Sequence, residues 1–259
     1  MKVAVCAKQV PGPDVPAAID PGSGRLAREK PFVLDDADAY GVEVALRLVE
    51  QAGGGEVTLV SMVPDGATEG LRTALAMGAD RAVVISDPAL GGSDALGTAK
   101  VLAAAVKRTE AELLLTATES TDGYTGTVPV QIAELLGWPA VSFARHIELS
   151  GASLVVHRQT EAGYDEVSCP LPAVVSVTAG VVEVRYPSFK GIMAARSKPV
   201  EQVGIAELGL SPGEVGAAGA RQEVLGVEAL EERTKRPIVT DEGDAAEKIF
   251  SLLESWKIL

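Results

Sequence analysis

The chain has 259 residues, 47% of them hydrophobic but only 4% aromatic, and a formal net charge of -13. That length can hold a large core of Val, Leu, Ala and Ile, the usual filling of a parallel sheet flanked by helices. The acidic balance argues against broad nucleic-acid contact, which needs a basic footprint, and no apolar run reaches the length of a membrane span.

The chain opens on Val3-Ala4-Val5-Cys6-Ala7, a short strand of buried type. No basic region followed by an apolar signal segment precedes it, so a cytoplasmic location is expected. Cys6 and Cys169 are the only cysteines and neither belongs to a CxxC pair, which argues against a disulfide or zinc framework. A Pro/Gly-rich loop spans residues 11–31. From 36 to 51, Ala37, Tyr40, Val44, Ala45 and Leu48 recur at helical spacing, with Asp35 or Asp36 as the cap. Residues 57–62 predict a second strand, and 68–77 a helix stopped by Gly78. Strand 81–85, helix 94–108, strand 112–117 and helix 127–136 continue the rhythm. Each parallel crossover needs a helix to return the chain, so the fold class is α/β with a doubly wound, mainly parallel sheet.

The pattern changes at residue 140. From there to 178 the chain reads as several strands without helices, an antiparallel extension in which Gly163 marks a hairpin between 154–160 and 164–169. After Pro199 the composition shifts to Gly, Ala and Glu. Two regions are expected: a domain over 1–206, and an extended arm over 207–259 ending in an amphipathic helix at 245–256.

Three places carry candidate chemistry. The loop Thr116-Ala117-Thr118-Glu119-Ser120-Thr121-Asp122-Gly123-Tyr124-Thr125-Gly126-Thr127 joins a strand to a helix and is rich in hydroxyls and glycines. Open α/β sheets bind ligands at such loops, where helix N-terminal N–H groups and hydroxyls donate to phosphate. Nucleotide binding is the favoured reading over a merely polar loop with a good cap. Neither a GxxxxGK[ST] loop nor a GxGxxG turn is present, so P-loop hydrolysis is not indicated. The acids Asp35, Asp36 and Asp38 read first as a helix cap, with one carboxylate also able to face a ribose. His146 and His157 lack spaced partners, and nothing pairs a nucleophile with a base. The third place is 185–198, with four bases and no acid around Phe189, Ile192 and Met193. It reads either as a contact surface for a partner or as a solvated connector whose Phe folds back on the core.

These residues together resemble the β subunit of electron-transfer flavoprotein over nearly the whole chain. The likeness runs through Val5-Cys6-Ala7-Lys8-Gln9-Val10-Pro11, Val42-Glu43-Val44-Ala45-Leu46-Arg47-Leu48 and Arg72-Thr73-Ala74-Leu75-Ala76-Met77-Gly78-Ala79-Asp80-Arg81. It continues through Glu119-Ser120-Thr121-Asp122-Gly123, Leu171-Pro172-Ala173-Val174-Val175-Ser176-Val177 and Tyr186-Pro187-Ser188-Phe189-Lys190-Gly191-Ile192-Met193. The resemblance implies a fold of adenine-nucleotide-binding type. It also implies a carrier subunit without catalytic turnover, paired with an α subunit that holds most of the FAD. A structural AMP would touch Cys6, Ala7, the 35–38 segment through Asp35 and Asp38, Met62, and the loop from Ala117 through Val128. The turn at 11–14 would approach the flavin. Arg185, Phe189, Lys190, Ile192 and Met193 would meet the partner. Electrons would come from acyl-CoA-type dehydrogenases, as in fatty acid oxidation, and leave to a quinone oxidoreductase. The chain departs from the family's habit at Ala117, Tyr124 and Thr127, in the Asp-Asp-Ala-Asp run at 35–38, and at Phe189, where many members have Leu. Three alternatives stand beside this reading: an FAD-binding subunit of an electron-bifurcating relative, an ATP-dependent enzyme of related fold, and a nucleotide-sensing stress protein, which would not need the 185–198 loop or the C-terminal arm. The second needs phosphate-binding cations, and 117–129 contains no Lys or Arg.

Overall fold

The computed structural model describes residues 1–15, 18–20, 22–63, 66–228, 238 and 240–258. Strand β1 (Lys2–Cys6) leads through β2 (Gln9–Pro11), β3 (Ala18–Asp20), β4 (Arg25–Ala27) and β5 (Phe32–Leu34) to helix α1 (Asp36–Gln51). Then come β6 (Glu56–Met62), α2 (Leu71–Met77), β7 (Arg81–Ile85), α3 (Ala95–Thr109), β8 (Leu113–Ala117) and α4 (Val128–Leu136). Four strands follow in a row, β9 (Ala140–Ser150), β10 (Ser153–Thr160), β11 (Gly163–Pro170) and β12 (Ala173–Val177). Helix α5 (Phe189–Ala195), strand β13 (Val200–Val203), and helices α6 (Gly216–Gly219) and α7 (Ala245–Ser255) complete the order.

Among the described residues the main sheet runs β11-β10-β9-β12-β8-β1-β6-β7-β13. It is parallel from β9 to β13, and β10 pairs antiparallel with both β9 and β11. The expected α/β fold, a mainly parallel sheet with an antiparallel extension, is what forms. Both faces are covered, as a parallel sheet requires. On one face Val3, Val5, Leu59, Leu113 and Leu115 pack with Val42, Ala45 and Leu48 of α1 and with Leu71 and Leu75 of α2. On the other, Ala4, Val60, Val83 and Leu114 pack with Ala99, Leu102 and Val106 of α3 and with Ile132 of α4.

Local chemistry sets the helix ends. Asp35 and Asp94 cap α1 and α3 by accepting from Ala37 N at 3.1 Å and Gly97 N at 2.7 Å. Gly137, at φ 70°, closes α4 by donating to the carbonyls of Ala133 and Glu134.

Four sequence expectations need correction. The loop at 11–31 carries a small antiparallel pair, β3 with β4, and is closed at its base by another, β2 with β5; residues 16, 17 and 21 lie outside the described ones. Segment 185–198, read as a contact surface or a solvated connector, contains a short helix: Ser188 accepts from Gly191 N at 3.0 Å and starts α5, so Pro187 stands just outside it. Strand β13 was not foreseen, because four residues at a sheet edge give little periodic signal. The domain boundary moves from 206/207 to 224/225. Val215 is buried and, with Leu208 and Leu210, joins the apolar cluster on the α3 face, which ties 207–224 to the first unit. The second unit, 225–259, contains α7; residues 229–237, 239 and 259 of the expected arm lie outside the described ones.

Candidate functional site

Strand β1 has β6 on one side and β8 on the other, so chain order reverses there. Crevices at the carboxyl ends of strands beside such a reversal are the ligand positions of open α/β sheets. Three segments converge at this edge: the turn after β1, the N-terminus of α1, and the loop between β8 and α4.

The convergence is built from carboxylates. Asp38, buried in the first turn of α1, accepts from Lys8 N at 2.6 Å. Asp35 N donates to Lys8 O at 2.9 Å. One Asp35 oxygen caps α1, and the other accepts from Thr121 N at 2.8 Å and Thr121 Oγ1 at 3.1 Å. Asp35 is thus the cap foreseen from sequence, and it also pins the β8–α4 loop. Asp38 is not a cap but a clamp on the turn after β1. Asp36 is exposed.

Lys8 extends into the same loop. Its Nζ donates to Ser120 Oγ at 3.1 Å and to Asp122 Oδ1, while Arg28 Nε donates to Asp122 Oδ2 at 2.7 Å. Lys8 and Arg28 are the site residues that sequence reasoning missed. The loop itself holds no cation, but the fold brings two to it. Lys8 stood in the quoted opening motif; Arg28 gave no local signal.

Electrostatics follow the burial. Burial pushes the Asp38 carboxyl up to about 7, helped by the charge of Asp35 and opposed by the N–H groups of Lys8 and Ala117. Burial also acts to raise Asp122, but Lys8 and Arg28 outweigh it and hold that carboxyl below its ordinary value. Burial pushes the Cys6 thiol up, and the Asp38 charge adds to it, which disfavours the thiolate.

The other expected contacts line the same edge. Cys6 and Met62 are half-buried at the ends of β1 and β6, and Ala7 and Ala117 are buried. Residues 123–127 are exposed. Tyr124 has a positive φ of 50° and is 67% exposed, and Gly126 has φ 64°. Gly123 lies against the loop's own fold: a Cβ there would stand 3.0 Å from Ser120 Oγ. Glu119 is exposed and its carboxylate lies beside Gly126. Thr125 and Thr127 lead into Val128, where α4 begins with no side-chain cap on its first turn. An uncapped helix start under a hydroxyl-bearing loop presents N–H groups to an anion.

A second surface lies on α5. Phe189 is 81% exposed and Tyr186 95%, with Ile192 and Met193 about half exposed beside them. Lys190 and Arg196 are exposed too. Two bases expected at the rim are turned inward. Arg185 Nε donates to Glu43 Oε2 at 2.6 Å and its Nη1 to Glu50 at 2.8 Å. Lys198 Nζ donates to the carbonyls of Leu75 at 2.9 Å and Ala79 at 2.6 Å. The sequence could not separate these two from the free bases, because all four sit in one basic run.

The electron transfer flavoprotein domain family matches residues 23–208. The chain is 39% identical over 263 residues to the electron transfer flavoprotein subunit beta of Mycobacterium bovis, covering 99% of each. It is 40% identical over 263 residues to that of Mycobacterium leprae, again 99% of each. The chain belongs to the electron-transfer-flavoprotein β-subunit family. Its role is therefore in electron transfer, and the matched region of this β-subunit family member spans Arg28, Asp35, Asp38, the β8–α4 loop and α5. It is also similar to the caffeyl-CoA reductase-Etf complex subunit CarD of Acetobacterium woodii, 37% identical over 87% of this chain and 86% of the relative. No helix among the described residues is long and apolar enough to cross a membrane.

Proposed function

We propose that this chain is the β subunit of a heterodimeric electron-transfer flavoprotein, and that it holds an AMP at the carboxyl edge between β1 and β8. The observation that carries the AMP reading is the uncapped start of α4 beneath the hydroxyls of 120–127. Its N–H groups and the loop hydroxyls fit a phosphate. The two cations that the described residues bring near it, Lys8 and Arg28, are both tied to Asp122 by ion pairs, and Lys8 is also bonded to Ser120, so neither points a free charge at the phosphate position. Such a site binds a nucleotide without stabilising a transferring phosphoryl group, so the AMP is structural. FAD, held mainly by an α subunit, supplies the redox chemistry when bound. This chain's turn at 11–14 would approach the flavin and help keep water from it. Phe189 on α5 anchors acyl-CoA-type dehydrogenases, with Lys190 steering association. A quinone oxidoreductase receives the electrons.

The test is to purify the chain with its α partner, denature the complex and separate the released nucleotides. Equimolar AMP and FAD are expected, with AMP depleted by Gly123→Val, whose side chain would crowd Ser120. A second FAD in place of AMP would favour the bifurcating reading. ATP hydrolysis by the complex would favour the enzyme reading.

A further inference from the structure

Helix α5 has seven residues, too few to hold its shape alone in water. It is helical because α2 holds it. Gly191 sits so close to α2 that a Cβ there would stand 2.3 Å from Ala76 O. Arg72, on α2, donates from Nη1 to Ala195 O at 2.8 Å, at the end of α5. Lys198 reaches back and caps the end of α2 through Leu75 O and Ala79 O. The other end of α2 is tied to the nucleotide edge. Gln9, next to Lys8, is buried; it donates to Ala67 O at 2.7 Å and accepts from Gly70 N at 2.9 Å.

We propose that α2 is a strut that presets the docking helix, with Lys198, Arg72 and Gly191 as positioning residues that never touch the dehydrogenase. This rests on the reading of α5 as the dehydrogenase-docking surface. A preset helix spares the complex the ordering of a short, otherwise disordered segment, and that saving appears as affinity.

The experiment uses the FAD-loaded heterodimer as acceptor for an acyl-CoA dehydrogenase reduced by its acyl-CoA. Lys198→Met and Gly191→Ala should each raise the apparent KM for the heterodimer about tenfold by unfixing α5. The limiting rate, the FAD content and flavin reduction by dithionite should be unchanged. Lys198→Arg, which still donates to both carbonyls, should restore the KM. Phe189→Ala separates the layers of the argument. If Phe189→Ala raises KM but Lys198→Met and Gly191→Ala only lower the melting temperature, the strut is overturned and the docking surface stands. If Phe189→Ala leaves KM unchanged, the docking surface and the strut fall together.

Discussion

A carboxylate only 1% exposed needs partners, and Glu43 on α1 has two guanidinium groups. Burial acts to raise Glu43, and Arg185 and Arg47 more than offset it, so its carboxyl lies below its ordinary value. Arg47 also donates from Nη2 to Glu183 O at 2.7 Å, so the pair stitches 183–185 to α1. Breaking a fully buried pair costs about 3–5 kcal/mol. Because 34% of the Arg185 side chain faces water and Arg47 stays behind, Arg185→Ala should cost on the order of 2 kcal/mol in urea unfolding. A rim contact would leave stability unchanged and alter only partner kinetics. Asp38 has the opposite sign. Its carboxyl is raised to about 7 in the folded protein against about 3.9 unfolded. Between those values the folded state binds more protons, so this group makes stability fall as pH rises toward 7, by at most about 1.4 kcal/mol per pH unit. Asp38→Asn keeps an acceptor for Lys8 N–H and should flatten that slope. An unchanged slope from chemical denaturation between pH 4 and 7 would show that Asp38 stays ionised.

At the scale of elements, short contacts between backbones decide placement. Gly70, just before α2, lies so near β5 that a Cβ there would stand 2.6 Å from Val33 C. Its φ is an ordinary −63°, so the requirement is space and not conformation. Gly70→Ala should destabilise the domain by roughly 1–3 kcal/mol through overpacking, read as a lower melting temperature. The antiparallel extension has a different logic. Leu154, Val156 and Cys169 bury one face of β10 and β11 in the main core. The other face carries a ring ladder, with His157 stacked on Tyr164 at 4.3 Å and 5.0 Å from His146. The two histidines that looked isolated in sequence are cross-strand partners, because β9 and β10 place them opposite each other.

At the scale of the molecule, the boundary at 224/225 sharpens the assembly question. Residues 207–224 belong with the sheet: Gly216 N donates to Ser93 Oγ at 3.1 Å, and Arg221 N to Asp94 Oδ2 at 2.7 Å. The second unit ends in α7, along which Ile249, Phe250, Leu252 and Leu253 recur, with Trp256 following it. An apolar set at helical spacing on a helix outside the sheet domain suits a partner-binding element. Ending the chain after Val224 should leave the melting temperature of the domain nearly unchanged while weakening heterodimer formation with the α subunit. Ending it after residue 206 should also lower the melting temperature, since Val215 would be lost from the core. Equal assembly of the 224-residue form and the full chain in size-exclusion chromatography would remove the second unit from the interface.

The sequence by itself determined the alternation of strands and helices, because hydrophobic period, caps and glycine stops act over a few residues. It also determined which loop lies at the sheet's carboxyl edge, since strand direction follows from the crossovers. It placed Asp35 at the head of α1, where a carboxylate beside a helix start is its own signal. The tertiary structure alone decided what the charges do. Lys8 and Asp122 are 114 residues apart, Arg28 and Asp122 94, and Arg185 and Glu43 142. Such pairs leave no periodic trace, and a basic run looks the same whether its members face water or close an ion pair. The short edge strand β13, the seven-residue helix α5 and the docking of 207–224 on the sheet domain escaped for a related reason. Each is too short to be stable on local propensity and exists because a distant surface receives it.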